Sequence, residues 1–97
     1  MPFVILVAPE AVADLRRLKA NIRAEVRAAM ETHLRHLPES VNRSRIKRLR
    51  GMRRPQFRLR VGEVRVFYDV TGNHVEVLAI VSKAEAEAWL AQFGNLE

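Results

Sequence analysis

Arg58, Arg60 and Arg65 are the residues best suited to chemistry. Between Gln56 and Val61, polar and apolar residues alternate. Phe57, Leu59 and Val61 point one way, and Gln56, Arg58 and Arg60 the other. Gly62-Glu63, with glycine first, suits a two-residue type II′ turn. Val64 to Val70 then continues as a second strand. This turn sets Val61 against Val64, Leu59 against Val66 and Phe57 against Tyr68. On the other side Arg60 faces Arg65 and Arg58 faces Phe67. Arginines placed directly opposite each other repel and weaken a hairpin. A sheet that carries such a pair is suited to holding an anion, and the guanidinium fork fits phosphate with paired hydrogen bonds. The structural alternative for Arg65 is an ion pair with Glu63 or Asp69.

The charge distribution points the same way. The chain has 97 residues and a formal net charge of +6. Ten of its 17 basic residues lie between Arg43 and Arg65, where Glu63 is the one acid. That is a patch rather than a diffuse excess, and it fits nucleic acid or another polyanion. Fourteen of the 17 are arginine, which favours planar contact with phosphate over simple charge. Lys47, Arg48, Arg50, Arg53 and Arg54 read as a flexible basic arm, punctuated by Gly51 and Pro55, that contacts nucleic-acid phosphates. The absence of cysteine excludes a disulfide framework and a thiolate metal site. His33, His36 and His74 do not have the spacing of a ligand set, so no metal or cofactor is expected. No run approaches the roughly 20 apolar residues of a membrane helix. The opening MPFVILV lacks the basic start and cleavage site of a signal peptide. The expectation is a cytoplasmic protein with no membrane partner.

These residues need a frame to position them, and the chain supplies one domain spanning residues 1–97. Phe3 to Val7 is a short apolar run that reads as a buried strand. Pro9 opens a helix, with Glu10 favourable to its dipole. Val12, Leu15, Leu18, Ile22, Val26, Met30, Leu34 and Leu37 recur at intervals of three and four. They form one stripe along a helix, or along two helices joined near Ala20-Asn21 with Asn21 as N-cap. Pro38 ends the helical stretch, and residues 39–46 read as a polar loop. The hairpin follows, then a tight turn at residues 71–74, a third strand from Val75 to Val81, and an amphipathic helix from Lys83 to Phe93. The fold class is α+β: an N-terminal strand, a helical hairpin, a three-stranded antiparallel meander and a short C-terminal helix, with the helices packed on one face of the sheet. Leu59, Val66 and Ala79 are expected on the covered face. Arg58, Arg60, Arg65, Phe67, Leu78 and Ile80 are expected on an open one, where cations grip a phosphate backbone and a ring stacks on bases. Tyr68 shares a face with Val64, Val66 and Val70 and belongs to the core. Trp89 packs between the last helix and the sheet.

The element order, with KRLRG followed by FRLRVGEVRVFYDV and VEVLAIVSK, resembles the RelE/ParE toxin superfamily of bacterial type II toxin–antitoxin systems. The resemblance covers nearly the whole chain. It implies a toxin held in a heteromer by a cognate acidic antitoxin. In the RelE branch it implies a metal-independent endoribonuclease that cuts messenger RNA, usually on the ribosome, by 2′-hydroxyl attack on the adjacent phosphate. Arg58 and Arg60 match the two basic positions of the first meander strand. Arg65 matches the arginine that stabilises charge on the phosphate, and Lys83 fills the basic position after the last strand. The tyrosine of the final helix has no counterpart in Ala88-Trp89-Leu90-Ala91. In the ParE branch a similar fold poisons DNA gyrase without that catalytic set, which leaves a non-cleaving toxin as the alternative.

Overall fold

The computed structural model describes residues 2–42 and 44–97. Met1 and Arg43, the first residue of the basic patch, lie outside the described residues. Strand β1 (Val4–Val7) leads through Ala8 into α1 (Pro9–Arg17), and α2 (Ala20–Leu34) follows. Next come the short strands β2 (Ile46–Arg48) and β3 (Met52–Arg54), then β4 (Phe57–Val61), β5 (Val64–Thr71) and β6 (His74–Ser82). A 3₁₀ turn (Lys83–Glu85) runs into α3 (Ala86–Phe93), and β7 (Asn95–Leu96) ends the chain.

The α+β class and the order of elements are as the sequence predicts, but the sheet is wider than the expected meander. Five strands lie in the order β1-β6-β5-β4-β2, with β1 parallel to β6 and the other pairs antiparallel. The Lys47–Arg54 segment is therefore not a free arm. β2 extends the main sheet beside β4, and β3 forms a separate two-stranded ribbon with β7. The hairpin register of β4 and β5 matches the turn-derived pairing at all five positions, Arg60 against Arg65 included. Gly62 has φ +57° and no described non-glycine residue has positive φ, as a glycine-first turn requires.

α1 and α2 cover one sheet face. Leu15, Val26, Met30 and Leu34 pack there on Leu59, Val66, Tyr68, Val75 and Val77. The helices meet at Leu18-Lys19, two residues before the expected joint. Pro9 starts α1, whereas α2 is entered through Lys19 with no side-chain cap, so Asn21 sits inside the first turn rather than capping it. α2 stops at Leu34, ahead of Pro38. Arg35 terminates it by clamping β1: its backbone oxygen accepts from Phe3 N at 2.7 Å, and its Nη1 donates to Phe3 O at 2.9 Å. Leu37 leaves the stripe and is 67% exposed. Tyr68 is buried, and its hydroxyl donates to Pro38 O at 2.6 Å. Burial pushes that phenol well above its ordinary range.

Two departures concern the opposite face. β6 slips register between its partners Phe67 and Tyr68, leaving Leu78 as an extra residue. The slip inverts the alternation: Val75 and Val77 face α1 and α2, but beyond it Ile80, paired with Val66, does so in place of Ala79. Ile80 thus belongs to the core and Ala79 to the other face, the reverse of the expectation. Phe67 is not an open base-stacking ring. It is fully buried beneath Trp89, with ring centroids 5.1 Å apart and planes 8° from parallel. α3 accordingly packs on the face opposite α1 and α2, with Trp89 filling its expected packing role.

Candidate functional site

The part of this opposite face that α3 leaves uncovered carries a pocket of about 580 Å³, lined by Val41, Asn42, Lys47, Arg58, Arg60 and Arg65. Three strands build it. In β4, Arg58 and Arg60 alternate with the core residues Phe57, Leu59 and Val61. β5 places Arg65 opposite Arg60, and β2 places Lys47 opposite Arg58. Two like-charged cross-strand pairs thus stand side by side, an arrangement that costs stability unless an anion joins them. The rim is made by a turn: Asn42 Oδ1 accepts from Arg45 N at 2.6 Å and from Ser44 N at 3.1 Å. Asn42 N donates to Ile46 O, and Arg60 N to Arg45 O, both at 2.9 Å, so the turn closes onto β2 and β4.

The four cations differ in how they are held. Arg65 is 7% exposed, not surface-borne as its face predicted. Its Nη1 donates to Gly62 O at 2.8 Å and Val64 O at 3.0 Å, which fixes the guanidinium against the hairpin mouth. The expected alternative ion pair with Glu63 or Asp69 is not formed. Arg58 is half-buried, and its Nε has no partner among the described residues. Burial, then the charges of Arg65 and Arg60, pulls the Arg58 guanidinium below its ordinary range. Arg60 and Lys47 are exposed. Among the described residues, no carboxylate pairs with any of the four.

The remaining basic candidates lie elsewhere. Arg48 Nη1 donates to Leu49 O and Gln56 O, both at 2.9 Å, and its guanidinium sits 5.5 Å from the centre of the Phe57 ring. Arg54 bridges Glu76 at 3.0 Å and Asp69 at 3.5 Å. Arg54 therefore ties the β3 ribbon to the sheet, and Arg48 pins the segments on either side of β3. Arg50 and Arg53 are exposed. Lys83 is exposed at the start of the 3₁₀ turn, where its backbone N–H donates to Glu63 O at 2.7 Å, and it does not line the pocket. Sequence reasoning missed Val41 and Asn42, hidden in a stretch read as loop. The Asn-x-Ser spacing of an Asx turn was the available signal. A second groove, about 850 Å³, runs between α1, the end of β6 and α3. Its walls mix Glu10, Asp14 and Glu85 with Arg17 and Arg54, so it gathers no single charge. No group of three metal-ligating side chains occurs among the described residues.

A mixed sheet with a helical hairpin on one face and a cationic pocket on the other defines a RelE-like toxin fold. The chain belongs to the ParE toxin family of type II toxin–antitoxin systems, parDE, whose sequence profile matches residues 5–87, and so to the RelE/ParE superfamily. It is similar to a chain of the toxin–antitoxin complex RelBE2 from Mycobacterium tuberculosis, with 26% identity over 87% of this chain and 94% of that one, at a TM-score of 0.70. The RelB–RelE antitoxin–toxin complex from Methanococcus jannaschii matches at 22% identity, 87% and 96% coverage and a TM-score of 0.66. A double arginine-to-alanine mutant of the Escherichia coli toxin RelE in the free state matches at 20% identity, 92% of each chain and a TM-score of 0.69, a likeness of fold. No curated protein matches the chain by sequence.

Proposed function

We propose that this toxin is a metal-independent endoribonuclease that cleaves messenger RNA, on the ribosome, in the cytoplasm. The observation that carries the reading is the convergence of Lys47, Arg58, Arg60 and Arg65 on one pocket with no carboxylate paired to them among the described residues. Such a site is preorganised for a phosphate that gains charge. In the reaction the ribose 2′-oxygen bonds to the adjacent phosphorus, and the bond to the 5′-oxygen of the next nucleotide breaks. Arg65, fixed by two carbonyls, and the half-buried Arg58 face the non-bridging oxygens. Charge held ready in this way costs no reorganisation as the transition state forms. Arginine cannot serve as the base, because guanidinium does not deprotonate in proteins. Arg50 and Arg53 extend the phosphate track, and Lys83 assists from the hairpin mouth. A cognate acidic antitoxin, partly disordered before binding, restrains the toxin in a heteromer.

The second reading is a toxin that blocks DNA gyrase without cutting RNA. The ParE family match favours it, as does a pocket lining without histidine, tyrosine or carboxylate among the described residues. Primer extension of cellular transcripts shortly after induction separates the two. New transcript ends at discrete positions support the ribonuclease. Intact transcripts with blocked supercoiling by gyrase support the alternative. Co-expression with the product of an adjacent acidic reading frame tests the antitoxin: co-purification and restored growth are expected.

A further inference from the structure

We propose that Lys47, on the neighbouring strand β2, is the general acid that protonates the leaving 5′-oxygen. The inference rests on the ribonuclease reading and adds a catalytic residue to it. Cleavage by 2′-hydroxyl attack needs two proton movements: one leaves the 2′-hydroxyl and one reaches the departing 5′-oxygen. Of the six residues that line the pocket, three are arginines, which hold their protons. Val41 has no proton to give, and Asn42 is an amide whose oxygen is engaged with Ser44 and Arg45. Among the described residues, Lys47 is the one lining side chain able to release a proton.

Its placement suits that task. The Ile46–Leu59, Lys47–Arg58 and Arg48–Phe57 register alternates cleanly, so Lys47 shares the Arg58 face while Ile46 turns into the core. Lys47 is exposed and has no carboxylate partner among the described residues, so its ammonium is free to meet a ligand. Arg58 and Arg65 are the more buried members and fit the non-bridging oxygens. Lys47, at the outer strand, fits the leaving side. The O2′–P bond forms as the 2′-proton passes to solvent hydroxide, the P–O5′ bond breaks, and one ammonium proton of Lys47 moves to O5′. The products are a 2′,3′-cyclic phosphate and a 5′-hydroxyl. The Lys47 amine then regains a proton from water.

A sulfur leaving group provides the test, because a 5′-thiolate departs without protonation. Wild type, Lys47→Ala and Lys47→Arg are compared in single-turnover cleavage of a short messenger RNA programmed on ribosomes. The RNA carries either the natural 5′-oxygen or a 5′-bridging sulfur at the scissile linkage. Both variants are expected to lose about a hundredfold or more on the oxygen substrate. Both should return to the wild-type rate on the sulfur substrate. The arginine variant keeps the charge, so its loss separates proton donation from phosphate binding. Equal losses on both substrates, or an arginine variant as fast as wild type, overturn the assignment of Lys47 alone. A wild-type protein that cuts neither substrate overturns the ribonuclease reading and this inference with it. Circular dichroism and melting of each variant confirm that the edge strand still folds.

Discussion

Two groups of basic residues lie within 20 residues of each other and have opposite fates. Arg48 and Arg54 are bound internally, to carbonyls and an aromatic ring in one case and to two carboxylates in the other. Lys47, Arg58, Arg60 and Arg65 share a pocket without a carboxylate partner among the described residues. Composition treats the two groups alike. The difference comes from strand parity and from what lies across the ladder. Arg54 finds Asp69 and Glu76, themselves a cross-strand pair, whereas Arg60 finds only Arg65. Cations that the fold has not neutralised are the ones left for a ligand.

The largest effects should come from the pocket. Arg58→Met and Arg60→Met should each reduce cleavage or toxicity by about a hundredfold or more, as expected for loss of a transition-state donor. Both should melt no lower than wild type, because each relieves a like-charged pair worth about 0.2–1 kcal/mol. A variant that stays fully toxic would break the contrast between the groups. Arg65→Ala tests the boundary, since Arg65 serves both fold and pocket. It should lose activity to a similar extent and also about 1.5–3 kcal/mol of stability in urea titration, because charged hydrogen bonds to two carbonyls disappear. Intact stability would make Arg65 purely a ligand group.

Smaller effects sharpen the other side. Arg54→Ala removes a partly exposed bridge and should cost no more than about 1 kcal/mol, with toxicity unchanged. Loss of toxicity there would move Arg54 into the active group. The double change Arg50→Ala with Arg53→Ala should lower the slope of log RNA affinity on log salt by about 0.7–0.9 for each phosphate no longer neutralised. An unchanged slope removes both from the RNA path. The mildest test is pH. Burial raises the Asp69 carboxyl, against the pull of the Gln56 N–H and of Arg54. The native state holds that proton more tightly than the unfolded chain does. The Asp69 contribution to stability therefore falls as pH rises from the ordinary aspartate range, about 3.9, through the raised native value. Asp69→Asn should flatten this part of the curve of urea midpoint against pH, and an unaltered curve would show that Asp69 does not set it.

The hairpin and its arginine register were legible because turn chemistry and two-residue alternation act locally. The glycine-first turn at Gly62-Glu63 fixes every pair from Phe57–Tyr68 to Val61–Val64. The Trp89 role was legible for a similar reason, as an aromatic at helical spacing beside a sheet. What escaped depends on distant partners. β2 and β3 are three residues each, too short to show a period, and exist because β4 and β7 offer edges. The α2 start at Ala20 has no capping side chain to announce it. The burial of Arg65 and Phe67 follows from hairpin-mouth carbonyls and from α3, neither visible in the alternation of β5 itself.

The extra residue at Leu78 gives β6 two grammars in one strand. Before it, odd-numbered residues answer to α1 and α2; after it, even-numbered ones do. The slip also brings the Ile80 N–H to the carboxylate of Asp14, 3.0 Å away, so the first helix is latched to the strand just past the point where the phase changes. Removing Leu78 would leave Val77 opposite Tyr68, Ala79 opposite Phe67 and Ile80 opposite Val66, so the strand would lose its kink and keep both of its faces. The same single residue added or removed elsewhere in β6, away from this slack point, would carry every side chain beyond it to the wrong face.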